Sequence, residues 1–169
     1  GSNMFGGSTI VIDGIPPTIT SFTINSTGSS PYGLDQVLTI IAYTSENIQS
    51  TNSTVVTLDN TTNTTITLTA ATDGNTMEGD YTVASGDSTG NLVISSFTTG
   101  TVVDDAGNTM TDTTVPTGSN MFGGSTIVID GIRPTITSFT ISPSVNSTYK
   151  MGQQFTITAN TSENIQSTN

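Results

Sequence analysis

The strongest constraint on this chain is a repeat it carries within itself. GSNMFGGSTIVIDGI at 1–15 recurs at 118–132, and TSENIQSTN at 44–52 recurs at 161–169. Both pairs are offset by 117 residues, so 1–52 aligns with 118–169 without a gap. Between the identical blocks the letters drift: NSTGSSPYGLDQVL at 25–38 becomes SPSVNSTYKMGQQF at 142–155. Tyr32 still matches Tyr149, and Gln36 matches Gln153. A 117-residue period is too long for a solenoid unit of about 20–45 residues. It suits one β-sandwich domain of about 100 residues. GSNM also stands inside the chain at Gly118 to Met121. The same letters at the start are therefore native sequence rather than an expression scar, and a window cut from a longer array is expected.

Within the period, short apolar runs alternate between turn signals, and helical periodicity is absent. The spacing predicts strands at Thr18–Ile24, Val37–Tyr43, Thr54–Leu58, Thr64–Ala70, Asp80–Ala84, Asn91–Phe97 and Ser125–Asp130. A further pair is expected around Thr101–Val103 and Thr109–Thr113. Strict alternation in TITSFTI sets Ile19, Ser21 and Thr23 on one face, with Thr20, Phe22 and Ile24 on the other. Turns are expected at Ser30-Pro31, 73–75, 85–87 and 104–108. Asp-Gly-Ile-Pro-Pro at 13–17 and Asp-Gly-Ile-Arg-Pro at 130–134 read as linkers, because proline removes a ladder donor. One complete module then spans 14–130. Residues 1–13 are expected to be the last strand of a preceding repeat, and 131–169 the first strands of a following one. Residues 1–13 offer one strand where 131–169 lacks about five, so simple strand donation does not complete the second module.

Composition narrows the chemistry. Hydrophobic residues are 32% and charged residues 9%. Disordered chains are usually rich in charge and poor in β-branched residues; here Thr, Val and Ile abound, as a pleated surface prefers. The net charge is −11, with Arg133 and Lys150 as the two cations. Binding nucleic acid takes several Lys or Arg to neutralise phosphates, so nucleic acid and anionic membrane surfaces are poor partners. There is no Cys and no His. Disulfides, thiol chemistry and Ser–His or Cys–His dyads are thereby excluded. No acid sits in an apolar stretch that would raise its pKa for glycoside hydrolysis, so an enzyme is not expected. No apolar run approaches the roughly 20 residues of a membrane helix, so membrane insertion is not expected either.

The order of motifs carries a resemblance. Asp13 with Pro16 and Pro17 is followed by TITS at 18–21, Tyr32 with Gln36, TSENI at 44–48, VVDDAGNTM at 102–110 and IVIDG at 127–131. This order resembles the bacterial Ig-like (Big-type) tandem repeats of giant surface adhesins, and related modules of prokaryotic surface-layer and filament proteins. The resemblance covers the whole chain. It implies an all-β fold of immunoglobulin-like β-sandwich modules in tandem, at an extracellular or cell-surface location. Pilin-type Lys–Asn cross-links are not expected: Lys150 is the one lysine, and its repeat counterpart is Gly33.

In an Ig-like topology the module entry, the loop after the second strand and the loop before the last hairpin share one end. That end carries Asp13, Glu46, Asp104, Asp105 and Asn108, with Asp130 and Glu163 as repeat equivalents. Ca²⁺ takes six to eight hard oxygen ligands, so Ca²⁺ is the one candidate cofactor. The competing reading is turn chemistry, in which Asp and Asn bond their own backbone and Gly107 supplies φ > 0. Glycosylation sequons stand at Asn25, Asn52, Asn60, Asn63, Asn146 and Asn160. Ser and Thr are so abundant that most of this count arises by chance. GSNMFGGST lacks the Gly-Lys-Ser/Thr ending of a phosphate loop. Met121 and Phe122 within it are expected to pack on a neighbouring module.

Two functions follow. The first is a structural module of a surface fibre or filament, partnered by identical modules and carrying N-linked glycans. The alternative is an adhesin module binding a glycan or protein. A binding module needs an exposed aromatic or charged cluster, and the aromatics here fall in strand patterns, which favours the fibre.

Overall fold

The structure is a computed structural model that describes residues 10–143 and 148–165. The chain forms two compact units, Gly1–Gly131 and Ile132–Asn169.

In the first unit, β-branched runs form a six-stranded antiparallel sheet. Its strands are β1 (Ile19–Ser26), β3 (Val37–Ile48), β4 (Ser53–Leu58), β5 (Thr65–Thr69), β6 (Gly74–Thr82) and β8 (Ile94–Phe97), in the order β1-β3-β6-β5-β4-β8. A smaller sheet joins β2 (Tyr32–Gly33), β9 (Ile129–Asp130) and β7 (Ser88–Thr89) in the order β2-β9-β7. There β9 runs parallel to β2 and antiparallel to β7. Alternation decides the core: Leu38, Ile40 and Ala42 of β3 are buried beside Val56, Leu58, Leu68, Met77 and Tyr81. The large sheet curls. Phe22 of β1 and Phe97 of β8, from its opposite edges, meet edge to face with ring centroids 6.0 Å apart. The molecule is therefore all-β, built of curled, largely antiparallel sheets.

Strict alternation fails in β1 for a definite reason. Ile19 pairs with Thr44 and Ser21 with Tyr43, so Thr20 is an extra residue, a β-bulge. Its Oγ1 donates to the Tyr43 carbonyl at 3.1 Å. The bulge resets the phase, so Ile19 and Phe22, expected on opposite faces, are both buried.

Other boundaries also differ. The strand expected at 80–84 begins at Gly74, where a turn was expected, and ends at Thr82. The run expected over 91–97 is a strand only from Ile94. The pair around 101–113 reduces to one bridge, Val103 to Thr109. The run at 125–130 contracts to Ile129–Asp130. Residues 10–13 form no strand. Residues 1–9 of that expected strand lie outside the described residues.

The second unit contains an antiparallel hairpin of β10 (Ile136–Ser142) and β11 (Thr156–Thr161). It reproduces β1–β3 in detail. Ile136 pairs with Thr161 and Ser138 with Asn160, leaving Thr137 as the extra residue. Its Oγ1 donates to the Asn160 carbonyl at 3.1 Å. Ile136, Phe139, Ile141, Phe155 and Ile157, counterparts of core or core-facing positions, are exposed.

Candidate metal centre

The repeated motif TSENIQSTN builds one end of the first unit. Thr18 and Ser45 clamp the entry of β1: Ser45 N donates to Thr18 O at 2.9 Å, and Thr18 N to Ser45 Oγ at 3.0 Å. Thr44 Oγ1 donates to the Glu46 carbonyl at 2.7 Å. Ile48 is buried and bridges Asp104. Gln49 Nε2 donates to the Asp104 carbonyl at 2.9 Å, and Asn52 Oδ1 accepts from Val103 N at 2.6 Å. The polar letters of the motif thus hold the 102–108 loop against β3. The second unit repeats the clamp: Ser162 N donates to Thr135 O at 2.8 Å, and Thr161 Oγ1 to the Glu163 carbonyl at 2.7 Å.

This scaffold brings Asp13, Glu46 and Asp104 together, with one carboxylate oxygen of each within 4.8 Å of the others. Asp104 is buried and orders its own loop. Its Oδ1 and Oδ2 accept from Asn108 N and Nδ2, both at 2.7 Å. Burial pushes the Asp104 carboxyl up, but the bonds from Asn108, Gly107 and Ala106 outweigh it and hold the pKa below its ordinary value. Glu46 shifts the other way. Burial first, then the charges of Asp13 and Asp104 and a hydrogen bond shared with Asp13, push it above its ordinary value. The three acids repel one another, and a proton or a cation at this point relieves them. The donors are all oxygen, which suits a hard cation such as Ca²⁺.

Two candidate ligands are placed otherwise. Asp105 is exposed and stands outside the carboxylate group. Asn108 turns its Nδ2 to Asp104 and, at 3.3 Å, to the Asp13 carbonyl. Asp130 and Glu163, the repeat equivalents, belong to separate units. Glu163 Oε1 is enclosed without a hydrogen-bond partner among the described residues.

The sequons divide by burial. Asn25, Asn63 and Asn160 are exposed. Asn52 and Asn60 are buried. Asn60 Nδ2 donates to Thr64 Oγ1 at 2.8 Å and to Tyr81 OH at 3.1 Å, which a glycan on that nitrogen would break. Asn146 lies outside the described residues. Met121 and Phe122 are buried within the first unit itself, with Met121 bridging Phe22 of β1.

A buried polar network was missed in the sequence. Asp87, within the expected turn at 85–87, is fully buried. Its Oδ2 accepts from Tyr81 OH at 2.8 Å and Ala84 N at 3.0 Å, and its Oδ1 from Thr62 Oγ1 at 2.6 Å. The available signal was Tyr81: strand alternation turns it inward, and a buried hydroxyl needs a partner.

Among the described residues, no helix is long and apolar enough to cross a membrane. Comparison with protein-family models, with curated proteins and with solved structures returned no match.

Proposed function

We propose that the chain is a structural segment of an extracellular or cell-surface fibre built from tandem Ig-like β-sandwich modules. One observation carries the reading. The hairpin β10–β11 restates β1–β3 with the same bulge and the same entry clamp, 117 residues later in the sequence. Closely similar modules joined by closely similar linkers, Asp-Gly-Ile-Pro-Pro and Asp-Gly-Ile-Arg-Pro, give a nearly constant rotation per module, and hence a regular rod. Catalysis has no place in the reading, since the chain lacks His and Cys. Exposed Asn25, Asn63 and Asn160 are the glycan acceptors it favours.

Asp13 lies in the linker sequence and meets Asp104 of the 102–108 loop and Glu46, which was expected in a loop after the second strand but stands near the end of β3. Calcium bound there stiffens the linker against the module. The expected outcome is a melting temperature that rises with millimolar CaCl₂ and falls with EGTA, and an Asp13→Asn variant that loses the response. Identical melting curves in calcium and EGTA rule the cation out. The fibre itself is tested by immunogold electron microscopy with antibodies to residues 14–130, on the cells that make the chain. Regularly spaced label along surface filaments is expected; label confined to the cytosol overturns the proposal.

A further inference from the structure

We propose that the buried carboxylate of Asp87 is a latch for the outgoing end of the first unit: it shapes the turn that grips Gly131, and so fixes the course of the chain where that unit ends. The grip is made by the backbone. Gly131 N donates to Asp87 O at 2.8 Å, and Gly86 N donates to Gly131 O at 3.2 Å. β9 lies against the same turn, with Ser88 paired to Asp130 and Thr89 to Ile129. Gly131 is buried, and the grip suits a glycine: an added Cβ would run into the Ala84 carbonyl oxygen and stand 3.1 Å from that of Asp87. The first unit ends at this residue.

Residues 83–87 belong to no strand, so other bonds set their course. Asp87 N donates to Ala84 O at 3.1 Å. The side chain closes the same turn from inside, its Oδ2 accepting from Ala84 N at 3.0 Å. A buried carboxylate is costly unless its oxygens find donors. Here both oxygens do, which leaves the turn one well-bonded arrangement.

The carboxylate also ties the turn to two other elements. Tyr81 OH of β6 donates to Oδ2 at 2.8 Å, and Thr62 Oγ1, between β4 and β5, donates to Oδ1 at 2.6 Å. The β4–β5 connection reaches the turn a second time, where Thr61 N and Oγ1 both donate to Ser88 O, at 3.1 and 2.7 Å. The way out of the unit is thus set by the unit's own interior. Asp87 acts here as a positioning residue, through the turn it shapes.

In the fibre reading, on which this use of the latch rests, the linker leaves each module by the same route. Failure of the latch leaves the fibre standing, with its rotation set elsewhere, whereas cytosolic label in the microscopy above leaves the latch standing.

The test is hydrogen exchange of the full chain, followed amide by amide by NMR, since local opening shows there without global unfolding. In the parent the Gly131 amide is expected to be protected, as are those of Ala70 and Thr98, which donate to Asn52 O and Val55 O elsewhere in the first unit. Gly131→Ala attacks the grip and leaves the donors to the carboxylate in place. Thr62→Val takes one donor from the carboxylate and leaves the linker sequence as it is; Thr62 is exposed, so the variant folds. Both are expected to speed exchange at Gly86, and Thr62→Val also at Gly131, by about tenfold or more, the scale of one bond to a charged group. Ala70 and Thr98 keep their parental rates. A parental Gly131 amide that exchanges as in an unfolded chain overturns the proposal. So does Gly131→Ala with parental exchange at Gly86, or Thr62→Val with parental exchange at Gly131, which means that the linker is gripped without the carboxylate. Acceleration shared equally by Ala70 and Thr98 overturns it too, as loosening of the whole unit.

Discussion

At the scale of single residues, two carboxylates pull stability in opposite directions with pH. Asp87 is buried, which pushes its pKa up, but bonds from Thr62, Ala84, Tyr81 and Asn60 outweigh that and lower it. A lowered folded pKa adds stability above the unfolded value, about 3.9, and loses it as pH falls through the folded value. The partner hydroxyl matters as much. Burial, together with Asp87, raises the pKa of Tyr81, so the phenol stays protonated and donates. Tyr81→Phe leaves a buried carboxylate short of a donor. It is expected to cost about 1.5–3 kcal/mol, the range for bonds to charged groups; an unchanged urea midpoint would refute that. Glu46 behaves oppositely. Its raised pKa favours the protonated form, so its contribution is present below the unfolded value of about 4.3 and is lost as pH rises through the folded value. Without divalent cations, Glu46→Gln is expected to melt above the parent at neutral pH. The gap should narrow towards pH 4, and also with added salt, which screens the exposed Asp13.

At the scale of elements, what was legible in the sequence depended on whether a rule was local. Alternation found β4 and β5 to within one residue at each end, because those strands bury one face evenly; it stopped β3 at Tyr43, whereas the strand runs on to Ile48 through the polar letters of TSENI. It misread β1, because a bulge is fixed by the partner strand's register and leaves no local letter pattern. The structure does bring Asp13, Glu46 and Asp104 of the expected acidic end together, Glu46 from β3 rather than from a loop. Asp105 and Asn108 were not separable from them, since neighbours in one loop differ only in where their side chains point. Gly100 was read as nothing at all. Its φ is +57°, and an added Cβ would stand 1.8 Å from the Ser53 carbonyl oxygen. Gly100→Ala is therefore expected to cost on the order of 3 kcal/mol, by displacing β4 from the 98–101 turn. Guanidinium unfolding measures it, and a parental midpoint would show that the turn yields.

At the scale of the whole molecule, sequence identity and structural role separate. Phe22 and Phe139 sit in the same TITSFTI motif, one enclosed against Phe97 and the other exposed. Phe22→Ala is expected to cost about 3–5 kcal/mol, as for a large core side chain. Phe139→Ala should stay within about 0.5 kcal/mol in dilute solution. Equal costs in chemical denaturation would mean that the second hairpin has its own core.

The parallel pairing of β2 with β9, together with the parallel bridge from Phe22 to Met121, has a mechanical consequence. The leading and trailing segments of the first unit travel in the same direction. Tension drawn between its two ends slides them past each other lengthwise. The bonds between them then bear load side by side, instead of opening one at a time like a zip. The unit therefore resists stretching most where its first and last segments lie together, and that grip rests on IVIDG and its partner Tyr32.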